Sequence, residues 1–91
     1  MACPQDIEAI TDVGLKFAKK GSYEEAIKVY DKALKKDPNC FHTLTHKGYA
    51  LLNLGKYKKA QECFMKALTI NPNHRLASKG LELLRIKAIA S

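Results

Sequence analysis

A segment of this chain returns on itself after 34 residues. Gly21-Ser22-Tyr23 recurs as Gly55-Lys56-Tyr57, and Asp37-Pro38-Asn39 recurs as Asn71-Pro72-Asn73. Laying residues 7–40 over 41–74 gives ten identities: Thr11/Thr45, Gly14/Gly48, Gly21/Gly55, Tyr23/Tyr57, Ala26/Ala60, Lys32/Lys66, Ala33/Ala67, Leu34/Leu68, Pro38/Pro72 and Asn39/Asn73. The matched residues are the small, aromatic and turn types that set backbone geometry. A chain built this way folds as stacked copies of one supersecondary unit. At 91 residues, one such stack is a whole domain with a thin core.

Each unit reads as two helices. Ile7, Ile10, Val13, Gly14 and Phe17 share one face at helical spacing. Gly21 ends that helix, because glycine takes the left-handed cap conformation without penalty. Ser22 with Glu25 has the form of a capping box for the next helix, whose face carries Tyr23, Ala26, Ile27, Tyr30, Ala33 and Leu34. Pro38 stops it, and Asn39 is expected to cap the helix that follows. The second unit repeats the scheme with Leu44, Gly48 and Leu51, then Tyr57, Ala60, Phe64, Ala67 and Leu68. The small residues Gly14, Ala26, Gly48 and Ala60 are expected where the helices of a hairpin approach most closely. No segment alternates as a strand does.

The order Gly14–Phe17–Gly21–Tyr23–Ala26–Tyr30–Ala33–Pro38, repeated as Gly48–Leu51–Gly55–Tyr57–Ala60–Phe64–Ala67–Pro72, resembles the tetratricopeptide repeat. The resemblance covers residues 7–74. It departs from the family at Ile10 and Leu44, where Trp is frequent, and at Lys47, a position usually apolar. It implies an all-α, right-handed solenoid over residues 1–91: repeat 1 at 7–40, repeat 2 at 41–74 and a capping helix at 75–90. That last helix would cover the preceding pair with Leu76, Ala77, Leu81 and Leu84, while Ser78, Glu82 and Arg85 give it a polar outer face. A solenoid needs such a face at its end, so the array is expected to stop there. The first helix has no evident cap of its own.

Members of the family hold an extended peptide or a helix in a concave face lined by the first helix of each unit. In register, that face comprises Glu8, Thr11, Leu15, Ala18 and Lys19, then His42, Thr45, His46, Tyr49, Leu52 and Asn53, then Lys79, Leu83, Ile86 and Lys87. The resemblance thus implies a partner-binding set of Thr11, Leu15, Lys19, Thr45, Tyr49, Leu52, Asn53, Lys79, Leu83 and Lys87. Leu15, Tyr49, Leu52 and Leu83 form an apolar strip, and tyrosine is a favoured interface anchor. Lys19, Lys79 and Lys87 border it with positive charge. The expected ligand is a tail or helix of another protein with apolar and some acidic residues, and the expected role is that of a binding scaffold. One subset of the family clamps acidic tails of heat-shock chaperones with Lys and Asn on the first helix and Asn on the third. Thr11, Leu15 and His46 stand at the matching positions and cannot make a two-carboxylate clamp, which needs fixed cationic and amide donors.

The remaining features narrow the alternatives. A net charge of +7 favours acidic partners, but the lysines are spread along the chain as on ordinary solvated helix faces. RNA binding would need stacked aromatics that the sequence lacks, so nucleic acid is not the expected partner. Self-association, by stacking of the apolar first helix (Ile7, Ile10) or by helix exchange, is the competing reading. His42 and His46 share a helix face with Cys40 just ahead, but a zinc site wants a fourth ligand that is not evident, so no metal or other cofactor is expected. No phosphate-binding loop, nucleophile elbow or metalloprotease helix occurs, and the chain is expected to do no chemistry. Three cysteines, Cys3, Cys40 and Cys63, none close in sequence, read as reduced thiols. With no basic-then-apolar leader in Met1 to Asp6 and no apolar run of bilayer length, the expected location is the cytoplasm, with no membrane contact.

Overall fold

The computed structural model describes residues 3–90; Met1, Ala2 and Ser91 of the expected 1–91 domain lie outside the described residues. Five helices follow one another: α1 (Gln5–Lys19), α2 (Tyr23–Lys36), α3 (Phe41–Asn53), α4 (Tyr57–Ile70) and α5 (Arg75–Ala90). α1 pairs with α2 and α3 with α4 as hairpins. α3 packs on α1 and α2, and α5 packs on α3 and α4. This is an all-α tetratricopeptide-type solenoid of two helix-turn-helix units with a single helix after them.

Both hairpin turns close in the same way. Gly21 and Gly55 adopt φ of 84° and 80°, which side chains disfavour. The Ser22 and Gly21 amides donate to the Phe17 and Ala18 carbonyls, and Lys56 and Gly55 repeat this with Leu51 and Leu52. Each pair satisfies the carbonyls that a helix end leaves open. α2 is further stabilised by Glu24 and Glu25 in its first turn and Lys35 and Lys36 in its last, opposing the helix dipole. Ser22 holds the N-cap position, but no side-chain hydrogen bond closes the expected capping box. The cap of α3 is Cys40, not the expected Asn39. Asn39 instead donates its amide to the Asp37 side chain at 3.2 Å, and Asn73 does the same with Asn71 at 3.3 Å. The preceding acid or amide therefore builds the turn as an Asx turn, and Asn39 is spent inside it.

The core sits between the layers of the hairpins. Ala26, Tyr30, Ala33, Ala60, Phe64, Ala67 and Ala77 are wholly buried. A Cβ on Gly14 would lie 2.5 Å from the Tyr30 ring, and one on Gly48 2.6 Å from the Phe64 ring. The aromatic of each second helix thus packs directly against the glycine of the first, where a larger residue would collide with the ring. Lys47, the departure from the family pattern, finds its reason here: its ammonium meets the Asp31 carboxylate of the preceding unit at 2.6 Å. Val13, at the same register position in α1, has no unit packed beside it among the described residues and is 46% exposed, against the expectation of a buried face.

Two further expectations are overturned at the N-terminal end. Ile7 is not open there; it is buried with Ala33 and Cys40, and Cys3 and Ile10 pack over it. Cys3 and Cys40 form a disulfide across 37 residues of chain, so they are not reduced thiols. The pairing was invisible in spacing because the fold, not the sequence, brings the segment before α1 against the cap of α3, with the two Cα atoms 5.3 Å apart. Cys63 alone remains a free thiol, and burial raises its pKa.

Candidate functional site

Helices α1, α3 and α5 stand side by side, with α2 and α4 behind them. Residues spaced four, three and four apart on each helix share a face. On α1 this row is Glu8, Asp12, Leu15 and Lys19; on α3 it is His42, His46, Tyr49 and Asn53; on α5 it is Leu76, Gly80, Leu83 and Lys87. The three rows share one face of the solenoid; Glu8, Leu15, Lys19, His42, His46, Tyr49, Asn53, Leu83 and Lys87 among them belong to the face expected to hold a partner, whereas Gly80 is buried against the Phe64 ring.

Tyr49 lies at its centre and is firmly held. Its ring and that of Phe64 meet edge to face at a centroid distance of 5.0 Å. Its hydroxyl donates to the Leu76 carbonyl at 2.7 Å, tying α3 to α5. Burial raises its pKa. Leu15 and Leu83 are half-buried at the equivalent positions of the neighbouring helices. Asn53 is exposed and donates its side-chain amide to the Tyr49 carbonyl at 2.9 Å. Lys19, Lys79 and Lys87 are exposed.

Thr11, Thr45 and Leu52 are not on this surface. Thr11 and Thr45 are fully buried and Leu52 is 4% exposed. Thr11 donates its hydroxyl to the Ile7 carbonyl at 2.8 Å and shares a 2.7 Å hydrogen bond with the Thr43 hydroxyl of α3. Thr45 occupies the same register on α3, where α5 packs, and donates to the Phe41 carbonyl at 2.7 Å. Leu52 joins the core cluster with Leu84. The physical reason is shared. These positions point sideways, toward the first helix of the following unit, and that helix seals them. Lys79 has the same register as Thr11 and Thr45 but nothing follows α5 among the described residues, so it stands exposed on the flank, away from the row.

The N-terminal half of the surface is a histidine cluster. His42 and His46 meet Nε2 to Nε2 at 3.2 Å, one imidazole donating to the other, with rings edge to face. His74, in the turn ahead of α5, lies 6.5 Å from His42 between centroids and packs its ring against Phe41. Its Nε2 is buried without a hydrogen-bond partner. Burial lowers the His46 pKa to about 4, helped by His42 and His74 and opposed by the Asp12 carboxylate. Burial, then His42, also lowers that of His74. Sequence reasoning missed His74 and Asp12. A signal existed for the former: His74 shares the register of Cys40, which is 1% exposed. Cys40, weighed as a companion ligand for His42 and His46, is committed to its disulfide. Among the described residues, no group of three or more His, Cys, Asp or Glu side chains is arranged to hold a metal ion. Nor, among them, is any helix long and apolar enough to cross a membrane.

Comparison with known proteins agrees with this architecture. A tetratricopeptide-repeat profile matches residues 43–74 and a second TPR-repeat profile matches residues 14–55. The mouse tetratricopeptide repeat protein 12 is 45% identical over 56 residues, covering 62% of this chain and 8% of that protein. A tetratricopeptide repeat and J domain-containing co-chaperone of Fusarium oxysporum is 35% identical over 91 residues, 93% of this chain and 18% of its own length. The chain therefore spans under a fifth of these relatives. Among solved structures, MamA from Desulfovibrio magneticus superposes with a TM-score of 0.84 at 29% identity, over 96% of this chain and 49% of that one. The second TPR of Spaghetti, solved with an Hsp90 peptide, superposes with a TM-score of 0.86 over 92% of this chain and 78% of that one. At 24% identity it attests the fold. With its repeats, its aromatics packed against glycines and two matching profiles that together span more than half its length, the chain belongs to the tetratricopeptide-repeat family.

Proposed function

We propose that this chain is a protein-interaction module that holds a tail, peptide or helix of a partner protein across α1, α3 and α5. The observation that carries the reading is the central strip of Leu15, Tyr49 and Leu83, one residue from each first helix. All three are half-buried, and the Tyr49 ring is fixed in place by Phe64 and Leu76. A preformed apolar strip lowers the ordering cost of binding. The surface is also electrically polar along the helices. Glu8 and Asp12 lie at one end, and Lys19 and Lys87 at the other. A partner segment that fits lays apolar side chains on the strip and an acidic residue at the lysine end. A relative named as a co-chaperone agrees with a partner-holding role.

The test is a peptide-display selection on the immobilised domain. Wild type is run beside a Leu15→Ala/Leu83→Ala variant and a Lys19→Glu/Lys87→Glu variant. The expected outcome is enrichment of apolar-acidic peptides on wild type, loss of that enrichment on the first variant and a turn toward basic peptides on the second. Absence of enrichment on wild type, or peptides indifferent to both variants, overturns the reading.

A further inference from the structure

A cleft of about 630 Å³ lies away from that surface, between α4 and the outer side of α5. Met65, Leu81, Glu82, Arg85, Ile86 and Ile89 line it. Met65, Ile86 and Ile89 are 54%, 58% and 82% exposed, so the outer face expected to be polar is in fact mixed, and Ile86, expected on the concave face, lines this cleft instead. Twice in this molecule the same face of a first helix receives an antiparallel helix: α2 on α1 and α4 on α3. In both, a glycine at the contact admits an aromatic ring, Gly14 for Tyr30 and Gly48 for Phe64. On α5 the equivalent position is Glu82. A carboxylate there blocks the aromatic and requires a cation, because a buried unpaired charge is costly. Among the described residues neither Glu82 nor Arg85 has an ion-pair partner.

We propose that this face docks a second copy of the chain, with the two α5 helices antiparallel about a two-fold axis level with Leu83 and Leu84. The sequence of the face is self-complementary under that operation. Ser78, Glu82, Arg85 and Ile89 are spaced four, three and four apart, a spacing that reads the same in both directions. Reversal sets Arg85 of each copy opposite Glu82 of the other, and Ile89 opposite Ser78. Ile86 falls opposite Leu81, covering an apolar pair on each side of the two charge pairs. An isologous interface demands this kind of self-matching, and opposite charges set its register. The apolar residues supply the burial that drives it.

Sedimentation equilibrium on the 91-residue chain tests the proposal, with Glu82→Arg, Arg85→Glu and the double exchange Glu82→Arg/Arg85→Glu. Wild type is expected to approach twice the 10.2 kDa chain mass as concentration rises. Each single variant sets like charges across the axis and raises the dissociation constant at least about tenfold. The double exchange restores the pairs and the dimer. Both residues are exposed, so helix content by circular dichroism stays constant in all four proteins. A wild type that remains monomeric at every concentration overturns the proposal and leaves the cleft to another protein's helix. A dimer indifferent to the single exchanges, or one that the double exchange fails to restore, overturns the antiparallel register.

Discussion

Ala60 shows how little freedom a core position has here. It is wholly buried in the cluster around Phe64, so Ala60→Leu adds three carbons where no space exists. The expected cost is about 1–3 kcal/mol, read from urea denaturation; an unchanged midpoint would contradict the packing. Ala26, equally buried beside Tyr30, should respond in the same way. Such residues were legible in the sequence because only glycine or alanine satisfies the geometry, and both repeats show it. His46 was legible as a surface position but not as a half-buried one, since register gives the face of a helix and not what lies over it. Its folded pKa of about 4 lies below the 6.5 of an ordinary imidazole. The unfolded chain therefore binds a proton that the folded chain refuses, and stability falls as pH drops from 6.5 toward 4. His74 adds to the same slope. Thermal unfolding across that range should fall less steeply for His46→Asn than for wild type; parallel curves would mean that His46 is solvated.

At the scale of the helices, the five elements follow from the repeat, but their side-to-side contacts do not. Gly21 and Gly55 mark the turns, and Pro38 and Pro72 follow closely on the ends of α2 and α4. The caps were misread because Asp37 and Asn71 compete for the turn amides and win. Thr11, Thr45 and Leu52 were placed on the binding surface because a helix considered alone presents them outward. Only the next first helix turns them inward. The same lateral packing changes what Tyr49 can report. Truncation to alanine removes two things at once, because the ring packs against Phe64 and the hydroxyl joins α3 to α5. Tyr49→Phe separates these roles. It keeps the ring and removes the tie to Leu76, so it should destabilise the domain by about 0.5–1.5 kcal/mol. Hydrogen exchange should accelerate at the start of α5, while the first turn of α1 is unaffected. Equal loss of protection in both places would mean that the hydroxyl does not act on α5 in particular.

For the molecule as a whole, the tie between Cys3 and Cys40 decides how the N-terminal end is closed. Among the described residues no helix packs on the outer face of α1, and Val13 stands 46% exposed there. The segment carrying Cys3 packs over Ile7, and the disulfide fastens it to the cap of α3, where the Thr43 hydroxyl lies 3.1 Å from Cys40 Sγ. The bond thus fastens the segment before α1 to the junction between the two repeats. Closing a loop of this length restricts the unfolded chain by about 4 kcal/mol in the chain-entropy account, a large share of the stability of a domain this small. Such a bond persists in oxidising surroundings and opens in reducing ones, so the medium sets whether this end is fastened. Reduction should lower the thermal midpoint of wild type strongly. Cys3→Ser should lower it to a similar value and abolish any further response to reductant, whereas Cys63→Ser should leave both the midpoint and the response as in wild type. A wild type indifferent to reductant would mean that burial of Ile7 alone holds the segment in place. A Cys3→Ser protein still sensitive to reductant would assign the response to a bond other than Cys3–Cys40.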